Sequence, residues 1–141
     1  MTRYGLDKKI ISRANEGMPI FGTCTGMILL AKDIVNSDQH RLSLMDSTVL
    51  RNAFGRQVDS FETDLDIGVI GPPAFRAVFI RAPYAVDVNG KTEVLARCDD
   101  KIVFYKQGNL LGCAFHPELT DDTRIHEYFI KLVQQSIPAS T

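Results

Sequence analysis

The chain has 141 residues, of which 45% are hydrophobic and 23% are charged, and its formal net charge is −1. This length suits a single domain with a sizeable core. A charge so close to zero gives no electrostatic reason to expect nucleic acid or an anionic membrane as a partner. No apolar run approaches the roughly 18 residues of a membrane span. Three cysteines without metal-ligand spacing indicate a reduced, cytoplasmic setting, and neither a metal nor a cofactor is expected.

The first third of the sequence predicts a helix, a strand and a second helix. The first helix has one apolar face, formed by Leu6, Ile10, Ile11 and Ala14. The segment 15–17 is expected to end that helix, because it closes on a glycine. A buried strand is predicted at 18–23, a helix from Cys24 to about Ile34, and a loop over the polar segment 35–43.

The middle of the sequence is rich in strand-forming residues. Strands are predicted at 47–50, 59–63, 77–80, 92–96, 102–105 and 110–115. Asn89-Gly90 is a strong hairpin signal, and Gly108-Asn109 is expected to turn one strand into the next.

The last element is predicted to be an amphipathic helix. Its apolar face carries Ile125, Tyr128, Phe129, Leu132 and Val133. Thr120 is the predicted N-cap, with Asp121 and Asp122 in the first turn. An α/β sheet needs several parallel strands with helices on both faces, whereas here only one strand–helix unit precedes a run of mostly antiparallel-looking strands. Because the chain opens on a helix, residues 1–141 are expected to form a single domain that is incomplete at its N-terminus.

The most informative stretch is Gly22-Thr23-Cys24-Thr25-Gly26, a cysteine with a glycine two residues to either side. Between a strand and a helix, this pattern predicts a nucleophile elbow, a strained turn that exposes a reactive side chain. Neighbours without a Cβ let the strand and the helix approach closely. The start of the helix is also expected to favour the thiolate of Cys24 over the thiol.

A nucleophilic cysteine needs a base, and the base needs an orienting group. His116 follows the apolar strand at 110–115, where open α/β sheets carry their active sites. Glu118 lies two residues further on and, in an extended backbone, points to the same side as His116. The sequence therefore predicts Cys24 as the nucleophile, His116 as base and then acid, and Glu118 as the orienting carboxylate.

These residue types also have purely structural interpretations. A lone buried cysteine is more often a small packing residue than a nucleophile, and only the combination of the elbow with the His-Pro-Glu segment favours catalysis. Cys98 and Cys113 lie in strand-like apolar contexts and are interpreted as packing residues. His40 in a polar loop and His126 in the last helix are interpreted as solvated.

The segment 19–32 resembles the nucleophile segment of class I, triad-type glutamine amidotransferases. Three further segments, at 51–57, 79–83 and 113–122, look like the glutaminase subunit of pyridoxal 5′-phosphate synthase. The resemblance runs from about Tyr4 to Val133. It implies a flavodoxin-like, three-layer α/β fold with a mixed sheet and helices on both faces. The fold is expected to be N-terminally truncated here, because the family's first strands and its Pro-Gly-Gly-Glu-Ser loop have no counterpart.

The resemblance also implies an activity. Members of that family hydrolyse L-glutamine to L-glutamate and ammonia, and the ammonia passes to a (β/α)8-barrel synthase subunit that builds pyridoxal phosphate in vitamin B6 biosynthesis. Arg51, Ile80 and Arg81 match positions that bind glutamine, and the fork of an arginine suits a carboxylate. The backbone N–H of Thr25 matches one oxyanion donor, whereas the second donor belongs to the family loop that has no counterpart.

Alternative interpretations stay open. Arg51, Arg56 and Arg81 are also typical of solvated or structural ion pairs. In a second interpretation, the chain is a truncated, catalytically impaired subunit that only binds its synthase partner. A third interpretation is a different elbow-cysteine hydrolase that acts on esters or peptides, although the Arg51 and Arg81 motifs argue against it.

Overall fold

The computed structural model of the protein describes residues 6–35, 41–51 and 60–136. The N-terminal elements are α1 (Leu6–Asn15), β1 (Ile20–Thr23), α2 (Thr25–Leu30), β2 (Ala31–Ile34) and β3 (Met45–Leu50). The later elements are β4 (Ser60–Leu65), β5 (Phe75–Ile80), β6 (Tyr84–Val88), β7 (Glu93–Cys98), β8 (Lys101–Gln107), β9 (Leu110–Cys113) and α3 (Arg124–Ser136). A short 3-10 turn at Pro117–Leu119 lies between β9 and α3.

The described strands form two sheets. Seven of them make one mixed sheet in the order β1-β9-β8-β6-β3-β2, with β7 paired to β8. In this sheet β1 is parallel to β9 and β2 is parallel to β3, whereas the other pairs are antiparallel. β4 and β5 form a separate antiparallel pair. The mixed α/β character that the sequence predicts is confirmed.

The first helix ends at a glycine, as predicted. Gly17 has a φ of 100°, and the N–H of Met18 donates to the carbonyl of Arg13 at 2.9 Å. This bond closes the helix, and a residue without a Cβ adopts that φ at low cost. The predicted apolar face packs against the core through Ile10, Ile11 and Ala14, while the side chain of Leu6 lies outside the described ones.

The second helix is shorter than the sequence predicts. α2 ends at Leu30 and the chain continues as β2, so the predicted helix to Ile34 is wrong. The cause is tertiary, because Ile34 pairs with Val49 in β3 and both residues are buried. A short apolar run does not distinguish a helix from a buried strand by its period alone. Of the loop predicted after it, residues 36–40 lie outside the described ones.

Asn89-Gly90 forms a turn but not a hairpin. Gly90 has a φ of 63°, yet β6 and β7 on either side of it pair with β8 and not, among the described pairings, with each other. The N–H of Asn89 donates to the carbonyl of Asp46 at 2.9 Å and so prolongs the pairing of β6 with β3. The predicted hairpin is therefore wrong. The turn at Gly108-Asn109 does join antiparallel β8 and β9, as predicted.

The last helix begins later than the sequence predicts. α3 starts at Arg124, so Thr120 is not its N-cap, and Asp121 and Asp122 precede the first turn. Asp122 accepts the backbone N–H of Arg124 at 3.1 Å, and the Arg124 guanidinium donates to both oxygens of that carboxylate. The same guanidinium donates to the carbonyl of Gly71 at 2.8 Å, which ties the helix start to the loop between β4 and β5.

The predicted apolar face of α3 does cover the core. Ile125 and Leu132 are buried, Tyr128 and Phe129 pack against the buried cluster, and Val133 is half-buried. Agreement here follows from the strong helical period of the segment, which fixes the buried face even where the first residue of the helix is misjudged.

An aromatic cluster occupies the core beside the end of β9. Phe115 is fully buried, and its ring centroid lies 5.7 Å from that of Phe75, 5.5 Å from that of Phe79 and 6.0 Å from that of Phe104. Aromatic rings at these separations attract one another beyond the effect of their burial. Because Phe115 directly precedes His116, this cluster fixes the point at which the chain enters the candidate site.

Candidate active site

The structure contains the strained turn that the sequence predicts between β1 and α2. Cys24 has a φ of 52° and a ψ of −107°, a conformation that residues with a Cβ rarely adopt. A Cβ on Gly22 would lie 2.6 Å from the carbonyl oxygen of Gly26, so only glycine fits where the strand meets the helix. A Cβ on Gly26 would meet no such neighbour within 4 Å. The close approach of strand and helix therefore explains why residue 22 must be a glycine. The expectation that Gly26 is needed for the same reason is wrong.

His116 and Glu118 are in contact, as their spacing predicts. His116 Nδ1 lies 2.8 Å from Glu118 Oε2. With Nδ1–H donating to the carboxylate, Nε2 is the ring nitrogen left to accept a proton. The His116 side chain is 21% exposed and that of Glu118 is 51% exposed, so the base is partly sheltered while its carboxylate faces solvent.

Strand β5 is hydrogen-bonded to both His116 and Cys24. The backbone N–H of His116 donates to the carbonyl of Val78 at 2.8 Å. Two residues further along β5, the carbonyl of Ile80 accepts the thiol of Cys24, with 3.7 Å between Sγ and the oxygen. The N–H of Cys24 donates to the carbonyl of Cys113 at 2.7 Å, which attaches the elbow to the end of β9. β5 and β9 together fix the thiol and the imidazole relative to one another.

A pocket of about 490 Å³ joins residues that are distant in sequence. It is lined by Cys24, Thr25, Ile28, Arg51, Ile80, Arg81 and His116. Each residue predicted to act in catalysis or in substrate binding lies on this lining except Glu118, which is bonded to His116. A concave site with an apolar wall and a few converging polar groups is the usual form of a small-molecule site.

Two of the four described non-glycine residues with a positive φ lie on the lining of this pocket. Arg81 has a φ of 46°, close to the value at Cys24, and both residues face the same space. Non-glycine residues in such conformations cost roughly 1–3 kcal/mol each and cluster at functional sites. Arg51 and Arg81 are exposed and bring positive charge to the pocket, where a carboxylate would be attracted. Arg56 lies outside the described residues.

The pKa of the Cys24 thiol is raised above its ordinary value. Burial is the largest cause; the backbone N–H and the hydroxyl of Thr25 act in the opposite direction, and the charge of Glu118 raises the pKa further. The expectation that the helix start favours the thiolate of Cys24 over the thiol is therefore wrong, because burial outweighs the opposing effect of the Thr25 backbone N–H at the start of α2. At neutral pH the group is a thiol, which needs a base to become a strong nucleophile.

The remaining cysteines and histidines have other surroundings. Cys113 is fully buried in β9, where burial raises the pKa of its thiol well above the ordinary value, and Cys98 is half-buried in β7. The interpretation of His126 as solvated is wrong, since it is half-buried and its ring centroid lies 6.2 Å from that of Phe21. His40 lies outside the described residues.

Ile28 also lines the pocket, although the sequence does not predict it there. It is buried in α2 and contributes an apolar wall to the pocket, a role that its apolar pattern alone does not distinguish from the core. Within residues 6–35, 41–51 and 60–136, no three His, Cys, Asp or Glu side chains are grouped so that they could hold a metal ion. In the same ranges no helix combines the length and the apolar character needed to cross a membrane.

Comparison with known proteins shows which family the chain belongs to. The model of the SNO glutamine amidotransferase family matches residues 1–135. The pyridoxal 5′-phosphate synthase subunit PdxT of Moorella thermoacetica is 56% identical over 133 residues, which cover 94% of this chain and 71% of that protein. The protein of the same name from Carboxydothermus hydrogenoformans is 58% identical over 130 residues, which cover 92% of this chain and 68% of the relative.

Solved structures are similar as well. A crystal structure of a glutamine amidotransferase matches with a TM-score of 0.88 and 47% sequence identity, over 93% of this chain and 69% of that one. A glutamine amidotransferase from Thermotoga maritima matches with a TM-score of 0.57 and 16% identity, over 96% of this chain and 60% of that one, and is similar in fold alone. These likenesses confirm the predicted α/β fold of class I glutamine amidotransferases.

Proposed function

Because this chain belongs to the SNO glutamine amidotransferase family, we propose that it hydrolyses L-glutamine to L-glutamate and ammonia. The observation that carries the proposal is the pocket on which the Cys24 thiol, the His116 imidazole and the side chains of Arg51 and Arg81 converge. A carboxamide needs a nucleophile and a proton donor for its leaving nitrogen, and an amino-acid carboxylate needs a cationic partner. The lining of this pocket offers each of these groups.

In the first half of the proposed reaction, His116 takes the proton of the Cys24 thiol through Nε2. The sulfur attacks the carboxamide carbon of glutamine and forms a tetrahedral intermediate. His116 then returns the proton to the amide nitrogen, the C–N bond breaks, and ammonia leaves behind a thioester. The raised pKa of Cys24 makes this base necessary, because the resting group is a thiol.

In the second half, His116 takes a proton from water, and the water oxygen attacks the thioester carbon. The C–S bond breaks, the sulfur leaves as a thiolate that regains its proton from His116, and L-glutamate is released. Glu118 keeps the Nδ1 proton in place in both halves, and its charge stabilises the imidazolium that forms twice in each cycle.

Four further residues bind the substrate or stabilise the reacting groups in this proposal. The guanidinium groups of Arg51 and Arg81 hold the carboxylate of glutamine, and Ile80, which is 39% exposed, borders its methylene chain. The backbone N–H of Thr25 stabilises the oxygen of the tetrahedral intermediate. One such donor contributes a factor of about 10²–10³ to kcat.

The destination of the ammonia is proposed from the relatives. Those at 56% and 58% identity carry the name of a pyridoxal 5′-phosphate synthase subunit. We propose that this chain also supplies ammonia to a synthase partner for vitamin B6 biosynthesis, and the family resemblance implies that this partner is a (β/α)8 barrel. Three free cysteines support a reduced, cytoplasmic location for the assembly.

The test is ammonia release from L-glutamine by the protein expressed together with its synthase partner. We expect Cys24→Ala to abolish release, whereas Cys98→Ala, which removes a half-buried thiol away from the pocket, should leave the rate unchanged. Release that survives Cys24→Ala, or no release from the unmodified protein with its partner present, would contradict the proposal. Partner binding without any ammonia release would instead support a chain that only docks.

A further inference from the structure

We propose that Ile28 limits the length of the amide that binds at Cys24, because its side chain occupies the space beside the methylene chain of glutamine. This proposal rests on the proposed function, since it names a specificity-determining residue for that reaction. Ile28 lines the same pocket as the Cys24 thiol and the imidazole of His116. Its side chain is 6% exposed and belongs to the buried core, so its position is fixed by packing.

Ile28 lies one helical turn beyond the nucleophile. Its backbone N–H donates to the carbonyl of Cys24 at 3.3 Å, the bond that joins residues four apart in an α-helix. Thr25 and Ile28 are three residues apart in α2, a spacing that places them on the same face of the helix, and both line the pocket. The side chain of Ile28 is therefore held close to the turn that carries the reactive sulfur.

The lining of the pocket has a group for each part of glutamine. The thiol and the imidazole suit the carboxamide, and the guanidinium groups of Arg51 and Arg81 suit the carboxylate. Two methylene groups separate these ends of the substrate. Ile28 and Ile80 are the aliphatic side chains that the described lining offers to those methylene groups.

Ile28 and Ile80 differ in how firmly they are held. Ile80 ends β5 and is 39% exposed, so its side chain has room to move, whereas Ile28 is packed within the core. An amide with one more methylene must bulge sideways when its two ends stay at the sulfur and at the arginines. A wall packed as densely as a protein interior does not yield to that bulge. Ile28 therefore excludes the longer amide.

The experiment measures how well two amides protect Cys24 from iodoacetamide in the protein expressed together with its synthase partner. The amides are L-glutamine and its homologue with one more methylene, and alkylation is quantified by mass spectrometry of the Cys24 peptide. One extra methylene in an apolar pocket is typically discriminated by about 10–200-fold, so the unmodified protein should need at least about ten times more of the longer amide for half protection. In Ile28→Ala this ratio should fall by about tenfold, because the side chain that opposes the extra methylene is removed.

Ile34→Ala is the matched control. Ile34 is also 6% exposed and belongs to the same core, but it lies in β2 and is not on the lining of the pocket. This variant should keep the ratio of the unmodified protein. Protection of the buried Cys113 peptide in the same digest shows that each variant is folded. If Cys113 becomes reactive, Ile28→Val and Ile34→Val replace the alanine variants, and the ratio should again fall only in the variant at residue 28.

An unchanged ratio in the variant at residue 28 would overturn the proposal, and so would an equal fall in the control at residue 34. Equal protection of the unmodified protein by the two amides, or protection by neither, would also overturn it. A loss of folded protein affects both amides alike and cancels in the ratio. Protection needs no turnover, so the expected ratios without any ammonia release would refute hydrolysis and leave the assignment of Ile28 intact.

Discussion

The two halves of the candidate site are the elbow at Cys24 and the pair of His116 with Glu118, and their local conformations have different causes. The Cys24 half is set by the backbone, since Gly22 leaves no room for a Cβ and Cys24 has a φ of 52°. The His116 half is set by side chains, because Phe115 before it is packed among three buried rings and Glu118 holds the imidazole. The first arrangement depends on a few neighbouring residues, and the second depends on aromatic residues from β5 and β8.

This difference means that the two halves can be damaged separately. Alkylation of Cys24 reports the state of the thiol alone, whereas ammonia release requires the thiol and the imidazole together. A change at the elbow should alter both signals. A change near His116 should reduce ammonia release while the thiol stays accessible to alkylation, although a change of charge there also shifts the pH at which the thiol reacts.

The largest expected effect comes from Glu118→Gln. The amide no longer fixes the Nδ1 proton or stabilises the imidazolium, so kcat for ammonia release should fall by about 10³–10⁴. The pH midpoint for alkylation of Cys24 should move down, because the charge of Glu118 raises the pKa of that thiol. Glu127→Gln, an exposed carboxylate on α3, is the control and should change neither signal. Ammonia release near the original rate in Glu118→Gln would contradict a role for this carboxylate.

The next largest effect is expected for Phe115→Ala. Truncating a fully buried ring should lower the free energy of unfolding by about 3–5 kcal/mol, measured by urea denaturation. Phe104→Ala removes an equally buried ring of the same cluster and should cost a similar amount. Under conditions in which both variants are folded, only Phe115→Ala should lose ammonia release. Equal losses of activity would show that the cluster acts through global stability and does not specifically position His116.

A matched pair of glycine substitutions tests which glycine maintains the conformation of the elbow. Gly22→Ala places a Cβ against the Gly26 carbonyl, so we expect a loss of about 1–3 kcal/mol in unfolding free energy, with loss of ammonia release. Gly26→Ala meets no neighbour and lies in a helix, where alanine is favoured over glycine by roughly 0.5–1 kcal/mol. Thermal unfolding of both variants checks the pair. Similar behaviour of the two would show that Gly22 does not hold the elbow.

The smallest effect concerns a contact outside both halves. Side-chain hydrogen bonds from Arg124 hold the pKa of Asp122 below its ordinary value. A carboxyl group with a lowered folded pKa stabilises the fold above its unfolded pKa, and this contribution is lost as the pH falls through the folded value. Asp122→Asn should therefore reduce the acid sensitivity of the unfolding free energy below about pH 4. Asp121→Asn is the exposed control, and an equal change in both variants would refute the assignment to Asp122.

The sequence predicts the local parts of this structure well. The elbow at Cys24 and the contact of His116 with Glu118 follow from glycine spacing and from alternation along an extended chain. The β8–β9 turn at Gly108-Asn109 and the buried face of α3 follow from similarly local signals. In each case the residues that determine the conformation are within a few positions of one another.

The parts that could not be predicted depend on distant partners. Ala31–Ile34 continues an apolar run, and only its pairing with β3 makes it a strand. The strand Tyr84–Val88 is not predicted, because it is short and combines apolar with polar residues. Its pairing with β3 and β8 makes it a strand. The pKa of the Cys24 thiol is not predictable from the local sequence for the same reason, since burial by the rest of the fold outweighs the opposing effect of the Thr25 backbone N–H.

Covalent labelling tests whether this pocket presents Cys24 to the carboxamide of glutamine. The protein is treated with a glutamine analogue that carries an electrophilic carbon at the carboxamide position, and the adduct is located by peptide mass spectrometry. We predict one adduct, on Cys24, that free L-glutamine prevents and that Arg51→Met and Arg81→Met weaken. Labelling that L-glutamine does not prevent, or an adduct on Cys98 in place of Cys24, would contradict the account.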